Sequence, residues 1–143
     1  MQAHADPPDV GGDIDALIDA AVDGDIDRAR ELLDGGGVGV NDGDAAGFTA
    51  LHCSAEGGHV ALVEMLIEAG ATVDQAKEDG VTPLIIASYD GKLEVVKVLI
   101  KAKATVNQAD DEGCTPLGMA SHEGLHLHVV VVVVVAMRHR QNG

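Results

Sequence analysis

The sequence predicts an all-α fold, a solenoid of about four short helix-turn-helix units, and three observations predict it. The chain repeats itself every 33 residues, its apolar residues recur three and four apart, and glycines fall at matching places between the apolar stretches. A chain of 143 residues is about one domain. Phe48 and Tyr89 are its only aromatics and it has no Trp, so Leu, Ile, Val and Ala must fill the core. That composition suits small helices packed closely.

Residues 1–12, MQAHADPPDVGG, hold no Lys or Arg and no apolar run, and read as a flexible acidic leader instead of a secretory signal. Residues 13–46 form a degenerate first unit. Within it, GDIDRARELLDGGGVGVN from Gly24 matches the stretch from Gly58 at a spacing of 34. The spacing returns to 33 at Asn41, because the turn from Gly35 to Val40 is one residue longer.

Residues 47–79 are the clearest unit. Thr49 is placed to cap a first helix whose Leu51 and Ala55 make one apolar stripe. A second helix carries Val60, Val63, Leu66 and Ile67, and Gly70 supplies a left-handed turn at its end. Residues 80–112 repeat the pattern in register: Leu84 falls on Leu51, Val96 on Val63, Leu99 on Leu66, Ile100 on Ile67 and Val106 on Val73. Lys103 takes the place of Gly70, so a left-handed backbone is expected at a non-glycine residue there. Each helix, at roughly 8 to 10 residues, lies below the length at which isolated helices are even marginal, so stacking has to stabilise them.

Residues 113–143 form the last unit. Ser121, His122, Glu123 and Gly124 match Ser88, Tyr89, Asp90 and Gly91, with Leu117 on Leu84. One residue inserted after Gly124 aligns Val129 and Val130 with Val95 and Val96, and Val133 and Val134 with Leu99 and Ile100. The run Val129–Val135 therefore reads as a second helix whose exposed positions have also become Val. Valine is a mediocre helix former with a tendency to pair as strand, which makes this end a poor cap.

These stretches resemble the ankyrin repeat. Its 33-residue unit and T-P-L-H signature are matched by TALH at 49–52, TPLI at 82–85 and TPLG at 115–118, and the likeness extends through GGHVALVEMLIEAGATVD and DGKLEVVKVLIKAKATVN. The resemblance implies hairpin-like connecting loops and a non-catalytic module that binds a protein partner through its loop tips and the concave first-helix surface. The corresponding positions here are Ala45, Ala46, Phe48 and Glu56, then Glu78, Asp79, Val81, Tyr89 and Asp90, then Asp111, Glu112, Cys114, His122 and Glu123. Both aromatics fall in this set and off the Leu/Val stripe. A small stoichiometric enzyme inhibitor of ankyrin type is the alternative reading.

HEGLH, from His122, spells H-E-x-x-H, the pattern of a zinc hydrolase helix. The repeat register puts His122 and His126 on two different segments, whereas zinc needs both imidazoles one turn apart on one helix, with a third ligand downstream. No Asp or Glu follows Glu123, so neither a metal nor a cofactor is expected. Asp23, Asp25 and Asp27 have calcium-loop spacing, but Arg28 stands where that loop needs Gly. GGGVGV follows a helix and contains no Lys, so it is an elongated turn and not a phosphate loop. His52 and His59 are expected to hydrogen-bond between loops. No nucleophile, base and orienting group form a trio, and the chain reads as no enzyme.

Cys53 and Cys114 lie too far apart for a C-x-x-C motif and read as free thiols of an intracellular protein, cytoplasmic or nuclear. The apolar stretch around the valines is about half the roughly 20 residues of a membrane span. The net charge is −15, and residues 1–46 carry twelve Asp or Glu against Arg28 and Arg30. That field repels nucleic acid and anionic membranes and favours a partner with a basic surface. A monomer is expected, with the Val129–Val135 helix as the one surface for self-association.

Overall fold

The computed structural model describes residues 10–122 and 126–142. Among them are eight helices: α1 (Val10–Asp23), α2 (Ile26–Asp34), α3 (Ala50–Gly57), α4 (Val60–Glu68), α5 (Pro83–Tyr89), α6 (Leu93–Lys101), α7 (Pro116–Ser121) and α8 (Leu127–Asn142). Consecutive helices pair as α1/α2, α3/α4, α5/α6 and α7/α8, and the four pairs stack side by side. The odd helices pack on one another in one row and the even helices in a second. The described residues contain no strand beyond an isolated antiparallel bridge between Gly43 and Thr49.

Each inner helix starts for the same reason. Thr49, Thr82 and Thr115 hold extended backbones, and their hydroxyls accept the N–H groups of His52, Ile85 and Gly118 three residues on. That contact satisfies one of the orphan donors at a helix start. Pro83 and Pro116 occupy the first turn, where a missing N–H costs nothing. Asp25 caps α2 in the same way by accepting from the Arg28 N–H.

The core is a lattice of in-register residues. Leu62, Val95 and Val129 are fully buried in the even row, as are Leu66, Leu99 and Val133. In the odd row Leu17, Leu51 and Leu84 are buried, with Ala20, Ser54, Ala87 and Ala120 as small residues where neighbouring helices approach. Burying one Leu or Val of this kind stabilises by roughly 1.5 to 3 kcal/mol. Polar ties cross the same boundaries. The Asn41 side chain accepts the Thr72 N–H at 2.7 Å and donates to the Gly70 carbonyl at 3.3 Å, while Asp74, its counterpart one repeat on, accepts from the Thr105 N–H and hydroxyl at 2.9 and 2.6 Å. The His59 ring reaches back to the Val22 carbonyl at 2.9 Å.

The structure departs from the sequence expectation at both ends. α1 begins at Val10, inside the segment assigned to the leader, and the rest of that leader lies outside the described residues. α8 is the expected second helix, with Val129 and Val133 in the core, but it runs for 16 residues. Met137 stands where the earlier repeats turn at Gly70 and Lys103, and nothing there favours a left-handed break. The extra turn brings the Arg140 guanidinium onto the Ile100 and Ala104 carbonyls, where it caps the end of α6. One buried group is unsatisfied: the Ser88 hydroxyl has no hydrogen-bond partner among the described residues, where the preceding repeat has Ala55.

Lys103 has φ +75°, the only positive φ at a non-glycine residue among those described, and Gly70 has φ +100° at the matching place. A Cβ built at Gly70 meets no atom within 4 Å, so the penalty at this position is backbone strain and not crowding. Lys103→Gly should therefore stabilise the protein by about 1 kcal/mol. Urea unfolding of the two proteins checks this, and a lower midpoint in the variant would contradict it.

Candidate protein-binding surface

Three successive loops carry the tips. Each closes as a tight hairpin, with Asp44, Lys77 and Asp110 in register: their N–H groups donate to the carbonyls of Phe48, Val81 and Cys114 at 2.9 to 3.0 Å. The Asp44 carboxylate also accepts the Ala46 and Phe48 N–H groups, and Asp110 accepts those of Glu112 and Cys114, all at 2.9 to 3.0 Å. Neighbouring tips are joined through the backbone, Glu78 N–H to the Ala46 carbonyl at 3.2 Å and Asp111 N–H to the Asp79 carbonyl at 2.9 Å. Glu78, Asp79, Asp111 and Glu112 are thus exposed acids on a braced edge.

Where the outer two loops have Asp, the middle one has Lys77. Its ammonium lies 4.1 Å from the Phe48 ring centre and 3.2 Å from an Asp79 carboxylate oxygen. Phe48 also meets the His52 ring edge-on, with centres 6.1 Å apart. Asp79 is held below the usual carboxylate range: desolvation opposes this, but the Lys77 and Val81 hydrogen bonds outweigh it. Sequence reasoning missed Lys77, although a single Lys in register with two Asp was the available signal.

Tyr89 is 57% exposed near the end of α5 and separates two hollows. The first, of about 270 Å³, is lined by Glu56, Val81, Ile85, Ile86, Tyr89, Asp90 and Met119. The second, of about 360 Å³, lies between Tyr89 and the next loop and helix, lined by Gly113, Cys114, Thr115, Gly118, Met119 and His122. Four expected residues, Glu56, Val81, Tyr89 and Asp90, therefore share one concavity, and His122 and Cys114 share the second. Phe48 does not join them. The expectation that Phe48 and Tyr89 line one groove is corrected: Phe48 occupies the loop position of Val81, one repeat earlier, and is half-buried beneath Lys77. The tip acids line neither hollow.

The hollow floors come from residues the sequence reading did not name. Ile86 and Met119 are in register with Cys53, each partly exposed on the odd-helix row. An apolar side chain recurring at this position, off the Leu/Ala stripe, was the signal. Burial first, then Glu56 and Asp44, pushes the Cys53 thiol up to about 11, so it behaves as a packing residue and not as a nucleophile. His122 closes α7 and His126 precedes α8, so the two imidazoles do not share a helix; Glu123 lies outside the described residues.

The family model of ankyrin repeats, in three copies, matches residues 3–77 and 69–134. No match to a curated protein was found.

His52 links the cap to the edge. Its Nδ1 accepts from the Thr49 N–H at 3.2 Å, which leaves Nε2 to donate to the Val81 carbonyl at 3.0 Å, so the ring is bound as the neutral form. Burial lowers its pKa from 6.5, and the nearby Lys77 charge adds to that. A base whose pKa is lower in the folded state contributes stability that is fully present above pH 6.5 and declines as the pH falls below it. His52→Ala should cost about 1 to 3 kcal/mol near pH 7.5, and that difference should shrink toward pH 5. Chemical unfolding of both proteins across this range is the check; a pH-independent difference would contradict the neutral, buried imidazole.

Proposed function

The chain belongs to the ankyrin-repeat family, whose repeats are generally protein–protein interaction modules, and from that premise we propose that it is a non-catalytic adaptor. Its partner presents an apolar anchor flanked by Lys or Arg. The observation that carries this is the pair of hollows on either side of Tyr89, floored by Ile86 and Met119 and edged by Glu56 and Asp90. An exposed aromatic between two apolar concavities is the usual form of an interface hot spot. The acidic edge at Glu78, Asp79, Asp111 and Glu112 supports a basic rim on the partner, since complementary charge mainly raises the association rate. Phe48 serves the edge indirectly, by holding Lys77. Two free cysteines accord with a reducing, intracellular setting.

Against a partner recovered by pull-down, the two contributions should separate with salt. Wild-type association should slow between low ionic strength and about 0.5 M, where the Debye length falls to a few ångströms. Replacing the four tip acids with Ser or Asn should remove most of that slope. Tyr89→Ala should raise the dissociation rate, costing about 2 kcal/mol or more, and leave the salt slope intact. Binding indifferent to both sets of changes, yet lost when α8 is altered, would move the site away from the odd-helix row.

A further inference from the structure

The two hollows beside Tyr89 are the same place in successive repeats. Moved on by 33 residues, Glu56, Val81, Ile85, Ile86 and Tyr89 of the first become Tyr89, Cys114, Gly118, Met119 and His122, all of which line the second. The frame is shared and the side chains differ, so the two hollows differ in chemistry.

The first has the parts of a cation site. Glu56 and Asp90 both line it, and none of its lining residues is basic. Neither carboxylate forms an ion pair among the described residues. Tyr89 adds an exposed aromatic face, and Ile86 and Met119 an apolar floor. At the loop edge the same chain shows what such a set holds: the Lys77 ammonium lies 4.1 Å from the Phe48 ring centre and 3.2 Å from an Asp79 carboxylate oxygen. There the cation is internal. Beside Tyr89 the ring and the acids recur, and the cation is left for a partner to supply. Arginine suits the place better than lysine. Its planar guanidinium stacks on an aromatic ring while its fork pairs with carboxylates, it is less strongly hydrated than an ammonium, and its methylene stem can cover the floor.

The second hollow is roomier and less charged. Tyr89 takes the place of Glu56, and no described residue lining this hollow is a carboxylate. Gly118 stands where the first hollow has Ile85, and the volume rises from about 270 to about 360 Å³. A Cβ built at Gly118 meets only the Thr115 hydroxyl, at 3.4 Å, so the space above it is open. Room over Met119 without a carboxylate suits an apolar side chain.

We propose that the partner places one arginine in the first hollow, against Glu56, Asp90 and the Tyr89 ring, and one apolar side chain in the second, over Gly118. This assignment rests on the reading of Tyr89 as the centre of the binding surface, and adds which side chain lies on which side of it.

Selection of a random-peptide display library on the full chain tests it. Peptides enriched on the wild type should share an Arg and an apolar residue at a fixed separation. Replacing that Arg by Lys should weaken a selected peptide by at least about tenfold. On the double variant Glu56→Gln, Asp90→Asn the preference for Arg should vanish, while the apolar residue still contributes. Gly118→Ile copies Ile85 of the preceding repeat, so its circular dichroism should be unchanged; it should remove the contribution of the apolar residue and keep the preference for Arg. An empty selection, or peptides whose binding ignores Tyr89→Ala, would overturn the Tyr89 surface and this assignment with it. Peptides that need Tyr89 but carry no Arg, accept Lys equally well, or are indifferent to the loss of both carboxylates would overturn the assignment alone. So would an Arg preference that Gly118→Ile removes and the carboxylate changes do not.

Discussion

Contact between neighbouring repeats is the constraint on which everything else here depends. Helices of six to nine residues, such as α7, α5, α3 and α4, cannot hold themselves in water. They persist because Leu62, Val95 and Val129, and again Leu66, Leu99 and Val133, fill the spaces between successive helices of the even row. The threonine caps, the Asn41 and Asp74 ties and the His59 bridge add direction to contacts that apolar burial makes favourable. Local signals alone would leave the pieces unfolded, and burial alone would leave their register loose.

The same stacking produces the surface. Because each loop is braced on the one before it, the acidic tips form an edge with fixed spacing, and the odd helices set Tyr89 between two concavities whose floors belong to different repeats. No single repeat contains either hollow. Binding chemistry in this fold is therefore a property of adjacency: changing Met119 alters both hollows at once, since it lines each. No described helix is long and apolar enough to cross a membrane.

Most of the fold was legible because the 33-residue period is redundant. Each of Leu51, Val63, Leu66 and Gly70 is tested again one repeat later, and Lys103 could be assigned a left-handed backbone from register alone, which its φ of +75° matches. What was not legible lay where the repeat is not repeated. α8 continues through Met137, where the earlier repeats turn at Gly70 and Lys103, and the reach of Arg140 to the α6 carbonyls depends on that extra turn. At the surface, Glu56, Val81 and Tyr89 line one hollow together, as their repeat positions allow, whereas Phe48 does not line it. The first helix of the repeat lies between a loop base such as Phe48 and a helix end such as Tyr89, and the one-dimensional pattern does not display which of the two opens onto the hollow.

The claim that neighbours hold each repeat in place is tested most directly by hydrogen exchange followed by mass spectrometry, at concentrations low enough to keep the chain monomeric. Repeats with two neighbours should be the most protected, and those with one should open at lower free energy. The amides of α3 to α6 should therefore exchange together and last, with α1, α2, α7 and α8 exchanging earlier. Protection in α2 or α8 equal to that in α4 and α6 would contradict the account, because helices at the ends would then be stable without the second contact on which it rests.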